Sequence, residues 1–341
     1  MLQMETKRIQ YIDAMRGFTM ILVVFSHICH FCFGDSTMGF NRIFFLFRLP
    51  CFFFISGWLF EPVARRPFLP NVRHKFMVQI VPTFIFLLLL APLPEFFHQL
   101  GTLKGGYWFT FVLFEFFMLY MLSVRCLRRW GILLAVTVSV GSFYYSAWQY
   151  HLQTLAVGDT TLNGFVLTMG FFSVPLWRYY LFFFIGTLVR HHFDAFIRLT
   201  SRTWVIVAVT VSFFAISLTD HPANPVLEYL RFNVGGILGM VMVFTFFRLS
   251  DVWLQRLRLS RPLQYVGTRT LDVYLLHYFF LPHFLSAYAA QLFAYDSQLL
   301  EFLIAMFFAF GVLLLSLLAS YILRLSPFLA RILFGVNTRK I

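Results

Sequence analysis

The sequence predicts an all-α, polytopic membrane bundle of about ten transmembrane helices with both termini in the cytoplasm. Three observations carry this prediction. Of the 341 residues, 60% are hydrophobic and 12% charged, against about 25% charged in soluble globular domains. Mean hydropathy is +0.78. The basic residues also fall on alternate loops between apolar runs, as the positive-inside rule requires.

Hydropathy and helix breakers place the spans at 14–33, 43–60, 77–93, 107–124, 131–147, 174–190, 203–219, 229–248, 270–287 and 298–323. With a cytoplasmic N-terminus, one set of loops holds Lys7 and Arg8, then Arg65, Arg66, Arg73 and Lys75, then Arg125, Arg128 and Arg129. It continues through Arg190, Arg198 and Arg202, the run from Arg248 to Arg269, and Arg324, Arg331, Arg339 and Lys340. The opposite face holds little beyond Arg42, Arg48, Lys104, Arg178 and Arg231, with Glu95, His98 and Asp159 in its loops. Segment 160–178 is apolar but interrupted by Gly164, Gly170 and Pro175, and reads as a re-entrant or surface-lying piece. No repeat or low-complexity stretch is visible. The chain reads as one integral-membrane domain over 1–341 without a soluble C-terminal domain. The first span, preceded by Asp13 and Arg16 and followed by no small-residue cleavage site, reads as a retained signal anchor.

The +13 charge is spread through short loops and makes no aromatic-interleaved basic surface, so nucleic acid is not an expected partner. Cys29 and Cys32 have CxxC spacing but fall inside a helix, where they read as small apolar residues. The histidines give no ligand constellation, and no metal is expected.

The chemistry concentrates in the first span. Arg16 and His27 interrupt an otherwise apolar run. Eleven residues at about 100° each close three turns, so both lie on one helix face, roughly 16 Å apart along the axis. Ionisable groups at that depth face a bundle interior or a watery cavity. A neutral histidine there is a general base, and Asp13, three residues before Arg16, is placed to pair with it. Snorkelling for Arg16 and a structural helix bridge for His27 are the bland alternatives.

Further candidates follow along the chain. Arg48 is an isolated cation at the start of span two, equally suited to anchoring and to ligand contact. Arg73-His-Lys75 forms a basic patch that suits lipid headgroups or the phosphates of a cosubstrate such as coenzyme A. Glu115 lies mid-span with Trp108 seven residues earlier on nearly the same face, and expects His27 or an arginine as partner. Tyr274 and His277, three residues apart, share a helix face and suit either a mutual hydrogen bond or ligand contact.

Four blocks in order then resemble the membrane-bound acyltransferase 3 family. Tyr11-Ile-Asp-Ala-Met15 followed by Arg16-x10-His27 resembles its opening motif. Arg48-Leu-Pro-Cys-Phe-Phe-Phe-Ile-Ser-Gly-Trp-Leu59 resembles its second-span block. Tyr107-Trp-Phe…Glu115-Phe-Phe-Met-Leu-Tyr120 and Gly267-Thr-Arg-Thr-Leu-Asp-Val-Tyr-Leu-Leu-His277 resemble two later ones, and Phe183-Phe-Ile-Gly186 a further short element. Cys51, at a position often Leu, and Thr270, in place of Ser, are departures that leave the base untouched.

The resemblance implies a ten-helix core, acyl-CoA as donor and a hydroxyl acceptor. It assigns catalysis to His27 and a donor-site or structural role to Arg16. The sequence reading is therefore an O-acyltransferase, foremost an O-acetyltransferase using acetyl-CoA, in a bacterial cytoplasmic membrane. Catalysis is expected from His27, Arg16 and Glu115, with Glu115 orienting or balancing the imidazole. Cosubstrate contact is expected from Arg16, Arg73 and Lys75, and substrate contact from Arg48, Trp108, Tyr274 and His277. His27 acts as base or as acyl carrier. The acceptor is a cell-surface carbohydrate or related molecule, with glycan-synthesis proteins as partners for any second step. A transporter of a glycan precursor or small anion is the alternative, weakened by the absence of repeated halves; an inactive assembly partner is the third.

Overall fold

A computed structural model describes residues 9–91, 93–102, 104–126, 130–155 and 157–335. The expected basic residues Lys7, Arg8, Arg128, Arg129, Arg339 and Lys340 lie outside the described residues, as does the side chain of Arg125. Among the described residues there is no strand, and the chain is all-α. The helices are α1 (Gln10–His27), α2 (Asn41–Ala64), α3 (Phe68–Lys75), α4 (Val81–Leu90), α5 (Leu93–Gly101) and α6 (Trp108–Cys126). Then come α7 (Gly131–Leu155), α8 (Thr160–Phe171), α9 (Tyr180–His191), α10 (Phe193–Thr200), α11 (Thr203–Ser217) and α12 (Pro225–Leu249). The last six are α13 (Asp251–Arg256), α14 (Ser260–Thr268), α15 (Thr270–Leu276), α16 (Ala289–Phe293), α17 (Gln298–Arg324) and α18 (Pro327–Phe334).

Seven helices among the described residues are long and apolar enough to cross a bilayer. They cover the expected spans near 14–33, 43–60, 77–93, 131–147, 174–190, 229–248 and 298–323. Span 107–124 is met by the shorter apolar helix Trp108–Val124, and span 203–219 by α11, which joins α10 at an 81° bend.

One expectation changes, and one segment gains detail. Span 270–287 is not one helix: α15 ends at Leu276, 3₁₀ turns follow at His277–Phe280 and His283–Tyr288, and Leu281 between them is extended (φ −62°, ψ 124°). Pro282 explains the break, because it lacks an N–H and drives the preceding residue out of the helical region. Segment 160–178 is helical only as far as Phe171. The left-handed Ser173 (φ 53°) then starts a 3₁₀ stretch, Val174–Tyr179, that leads into α9.

The chain forms two compact units. The first holds residues 1–52, 199–218 and 238–320, the second 53–198, 219–237 and 321–341. Within the first, α1 packs against α14 with backbones nearly touching. A Cβ on Gly17 would strike the Leu263 carbonyl, and one on Gly267 the Asp13 carbonyl. Such reciprocal small-residue contact is the membrane solution to close helix packing. The pairing of Asp13 with Gly267 and of Gly17 with Leu263 makes the two helices antiparallel. Within the second unit the same device joins α2 and α9, with Gly57 against Phe183 and Gly186 against Phe54. The second-span block and the short Phe183–Gly186 element are therefore two sides of one contact. Around it the core is aromatic, with Phe60 4.3 Å from Phe117 and Phe53 5.2 Å from Phe116, ring centre to ring centre.

Candidate active site

In the first unit the chain reverses at Arg269, between α14 and α15, so α15 climbs back along α1. Arg16 Nη2 donates to Thr270 Oγ1 at 2.8 Å. Eleven residues later on α1, His27 Nδ1 lies 2.7 Å from His277 Nε2, the two rings stacked at 4.9 Å with 16° between planes. One partner segment thus meets both Arg16 and His27, as their shared face requires.

The hydrogen positions on this histidine pair follow from their partners. His277 is fully buried, and its Nδ1 lies 3.0 Å from the Val273 carbonyl oxygen, which can only accept. Nδ1 of His277 therefore carries the hydrogen, and the neutral ring presents a lone pair at Nε2. His27 must then donate from Nδ1, which leaves its own Nε2 unprotonated. The network, by satisfying donors and acceptors, selects the tautomer of His27 that a general base needs.

The walls are specific. Tyr278 lies 4.1 Å from the His277 ring and 5.3 Å from that of His27, and Phe31 lies 5.5 Å from His27. α1 passes into a π-helical turn, Ile28–Cys32, directly after His27. Such turns shift side-chain register and recur at functional sites. Cys29 and Cys32 are buried free thiols. Beside them, Asn41 Nδ2 donates to Ser26 Oγ at 3.2 Å and to the Ser36 carbonyl at 2.7 Å. Asn41 Oδ1 accepts from Arg48 Nη1 at 2.8 Å. Arg48 is 8% exposed, so it is an interior cation rather than a surface anchor, and its charge reaches His27. The base of α15 is fixed by Asp272, which pairs with Arg269 at 3.6 Å and accepts from Ser320 Oγ on α17. The loop between α1 and α2 is fixed by Glu301, which accepts from the Gly39 N–H at 3.0 Å.

Of the remaining candidates, Glu115, Trp108, Arg73 and Lys75 lie in the second unit. Glu115 accepts from the Trp177 indole N–H at 2.7 Å, where a histidine or arginine was expected. A pure donor such as indole satisfies a half-buried carboxyl without bringing in a second charge. Trp108 stacks on Tyr179 at 6.2 Å, so Trp108 and Glu115 both face the 3₁₀ segment, as their spacing predicts. Lys104, in the turn before α6, is 1% exposed and takes a left-handed φ of 53°. Its Nζ donates to the Gly170 carbonyl at 2.8 Å. Burial pulls its pKa down to about 8, against a smaller opposing pull from the Glu115 carboxylate. Lys75 packs its ammonium over the Phe117 and Phe60 rings at 4.4 and 5.3 Å, whereas Arg73 is exposed on α3.

In the first unit Tyr274 lies 6.0 Å from His277, ring to ring, and His277 directs its nitrogens to Val273 and His27 rather than to the Tyr274 hydroxyl. Sequence reasoning singled out Arg16, His27 and His277 but not the residues that hold the candidates: Thr270 as the acceptor for Arg16, Asn41 for Arg48, and Trp177 as the donor to Glu115. Only Thr270 carried a signal, its place in the last block.

A family model described as an acyltransferase domain (acyltransferase 3) matches residues 9–324, nearly the whole chain. Neither the curated proteins nor the solved structures yield a match.

Proposed function

The chain belongs to the acyltransferase 3 family, and on that premise we propose that it is a membrane O-acetyltransferase of the bacterial cytoplasmic membrane, moving acetyl from cytoplasmic acetyl-CoA to a hydroxyl of a cell-surface carbohydrate. The observation that supports a base mechanism is the ladder from the Val273 carbonyl through His277 to His27, with heavy-atom separations of 3.0 and 2.7 Å. His27 Nε2 takes the proton of the acceptor hydroxyl while the oxygen attacks the thioester carbonyl. The C–S bond breaks as the tetrahedral adduct collapses, and His27 returns its proton to the coenzyme A thiolate. His277 is the positioning residue in this reading, holding the tautomer and ring plane of His27 and sharing its charge during the step. The thioester is already activated, so placement and proton removal supply most of what remains.

Arg48 and Arg16 bring positive charge to the same unit. Arg48 suits the developing oxyanion. Arg16 in the first unit, and separately Arg73 and Lys75 in the second, are cations of the kind that suits a donor's phosphates. Glu115 and Trp108 are assigned to acceptor-side support through the 3₁₀ segment rather than to the imidazole.

The test is transfer of radiolabel from acetyl-CoA into membrane and surface-glycan fractions, wild type against His27→Ala at matched expression. Label confined to wild type supports the assignment, and undiminished label with His27→Ala overturns it. Release of coenzyme A thiol separates this reading from a transporter, which would move its cargo without it.

A further inference from the structure

α7 carries a polar stripe at alternating three- and four-residue steps: Ser139, Ser142, Ser146, Gln149 and Gln153, all on one face. Its first half has a structural use. Ser139 Oγ donates to the Arg178 carbonyl at 2.9 Å, Ser142 Oγ to the Val174 carbonyl at 2.6 Å, and Ser146 Oγ to those of Ser142 at 2.8 Å and Pro175 at 2.5 Å. Ser142 Oγ also accepts from the Arg178 N–H at 2.7 Å. The serines thereby satisfy a 3₁₀ segment whose carbonyls α-helical bonding would otherwise have used.

The second half of the stripe has no such use. Neither Gln149 nor Gln153 makes a side-chain hydrogen bond among the described residues. Both line a cleft of about 770 Å³ wholly within the second unit, with Ser146, Asn163, His98 and Arg178. The described lining contains an arginine, a histidine and amides but no carboxylate. Its volume suits a small organic ligand. Apolar lipid tails would leave its amides unpaired, which is costly in a membrane protein.

Arg178 is held for binding. Its backbone is tied to Ser142 on one side and Ser139 on the other. Its guanidinium lies over the Phe232 and Tyr179 rings at 5.2 and 5.3 Å. Its buried Nε has no hydrogen-bond partner among the described residues. An arginine fork with spare donors matches a carboxylate or phosphate. Side-chain amides, each with an acceptor oxygen and two donor hydrogens, match neighbouring hydroxyls on a ring. On the expected topology His98 lies in a non-cytoplasmic loop, so the cleft opens on the side away from the donor.

We propose that this cleft is a binding site for an anionic sugar unit, its carboxylate or phosphate on Arg178 and its hydroxyls on Gln149 and Gln153. The inference rests on the reading of the acceptor as a carbohydrate, and its test is binding rather than transfer. Full-length protein in nanodiscs is titrated with methyl glucuronide, glucose 1-phosphate and methyl glucoside, followed by saturation-transfer NMR. The two anionic sugars bind and the neutral one binds about tenfold or more weakly, since one charge-assisted bond is absent. The carboxylate and phosphate arms show which anion the site prefers. Gln149→Leu/Gln153→Leu weakens both anionic sugars by about tenfold or more, and Arg178→Gln, which removes the charge, erases the preference for anionic sugars. Binding survives His27→Ala.

Equal affinity for all three sugars, no binding of any, or indifference to the Gln149 and Gln153 changes would overturn the proposal. Anionic-sugar binding without acetyl transfer to any carbohydrate would instead remove the functional reading and leave the site standing.

Discussion

Replacing His277 separates a positioning role from a merely structural one. His277→Ala deletes the acceptor of the His27 Nδ1–H bond, now 2.7 Å long, in a site where His277 itself is fully buried. A buried donor left without its acceptor costs about 1–3 kcal/mol. That alone lowers the transfer rate by roughly fivefold to 150-fold, at about 1.4 kcal/mol per tenfold. Loss of the tautomer bias and of charge sharing with the imidazolium adds to this, and elsewhere a wrong histidine tautomer costs about 10⁴ in rate. The expected deficit is thus about 10²–10⁴. His277→Gln discriminates further. Its amide oxygen reaches the place of Nε2 and accepts from His27, restoring the tautomer without the capacity to take a proton, so about a tenth of the lost activity returns. His277→Asn, one methylene shorter, falls short of that place and rescues nothing. The assay is initial-rate thiol release from acetyl-CoA with acceptor present, at saturating donor, so that the effect reads in kcat. Equal activity of the Ala, Asn and Gln variants, with unchanged melting, would refute the ladder.

Three other perturbations follow from the same geometry. Thr270→Val removes the acceptor from Arg16 Nη2 while keeping shape; a bond from a charged donor is worth about 1.5–3 kcal/mol, so acetyl transfer falls by roughly tenfold to 150-fold, whereas Thr270→Ser stays within about twofold. Gly267→Ala drives a methyl into the Asp13 carbonyl, and since backbone cannot fold away, the α1–α14 contact opens at a cost of about 1–3 kcal/mol, seen as a lower thermal midpoint in detergent together with lost transfer. Lys104 has a folded pKa of about 8 against 10.5 when free, so between those values the unfolded chain holds a proton that the native chain has released, and stability rises with pH across that window. Lys104→Met therefore shows its greatest relative gain in thermal midpoint below pH 8 and loses it by pH 10.5; a difference independent of pH would contradict the burial argument.

What could be read in the sequence follows from the range of the forces involved. The face shared by Arg16 and His27 is a matter of helical period alone, and both residues meet one partner segment as that period demands. The apolar spans follow from hydropathy, and helix α6 begins one residue from its expected start. One failure, and one detail left unread, came from local chemistry set against bulk composition. The run 270–287 is apolar enough to span, yet Pro282 alone decides that it does not continue as one helix. Segment 160–178 was separable by its glycines and Pro175, but not the left-handed Ser173 that turns it. The pairings failed for another reason. His277 is 250 residues from His27, and Trp177 is 62 from Glu115. In a chain with 48 Phe, 15 Tyr and 7 Trp, no local pattern marks one indole as the partner of one carboxyl.

The choice of a second imidazole, rather than a carboxylate, behind the proposed base His27 has a physical rationale in this setting. A fixed negative charge beside His27 would need desolvation at a depth where one ionised side chain costs about 2.5–3.5 kcal/mol. Two neutral imidazoles hold the same tautomer with no net charge at rest, and charge arises only when a proton arrives during turnover. The carboxylate of α15, Asp272, is kept apart from that function: Arg269 balances it and Ser320 donates to it. Arg48 donates to Asn41 Oδ1, and its positive charge reaches His27, where it would favour an anion formed during the step. On this argument a resident carboxylate at position 277 would trade oxyanion stabilisation for imidazolium stabilisation. His277→Glu should therefore retain a polarised His27 but release thiol more slowly than His277→Gln, and the reverse order would show that charge on the imidazole, not on the oxyanion, limits the reaction.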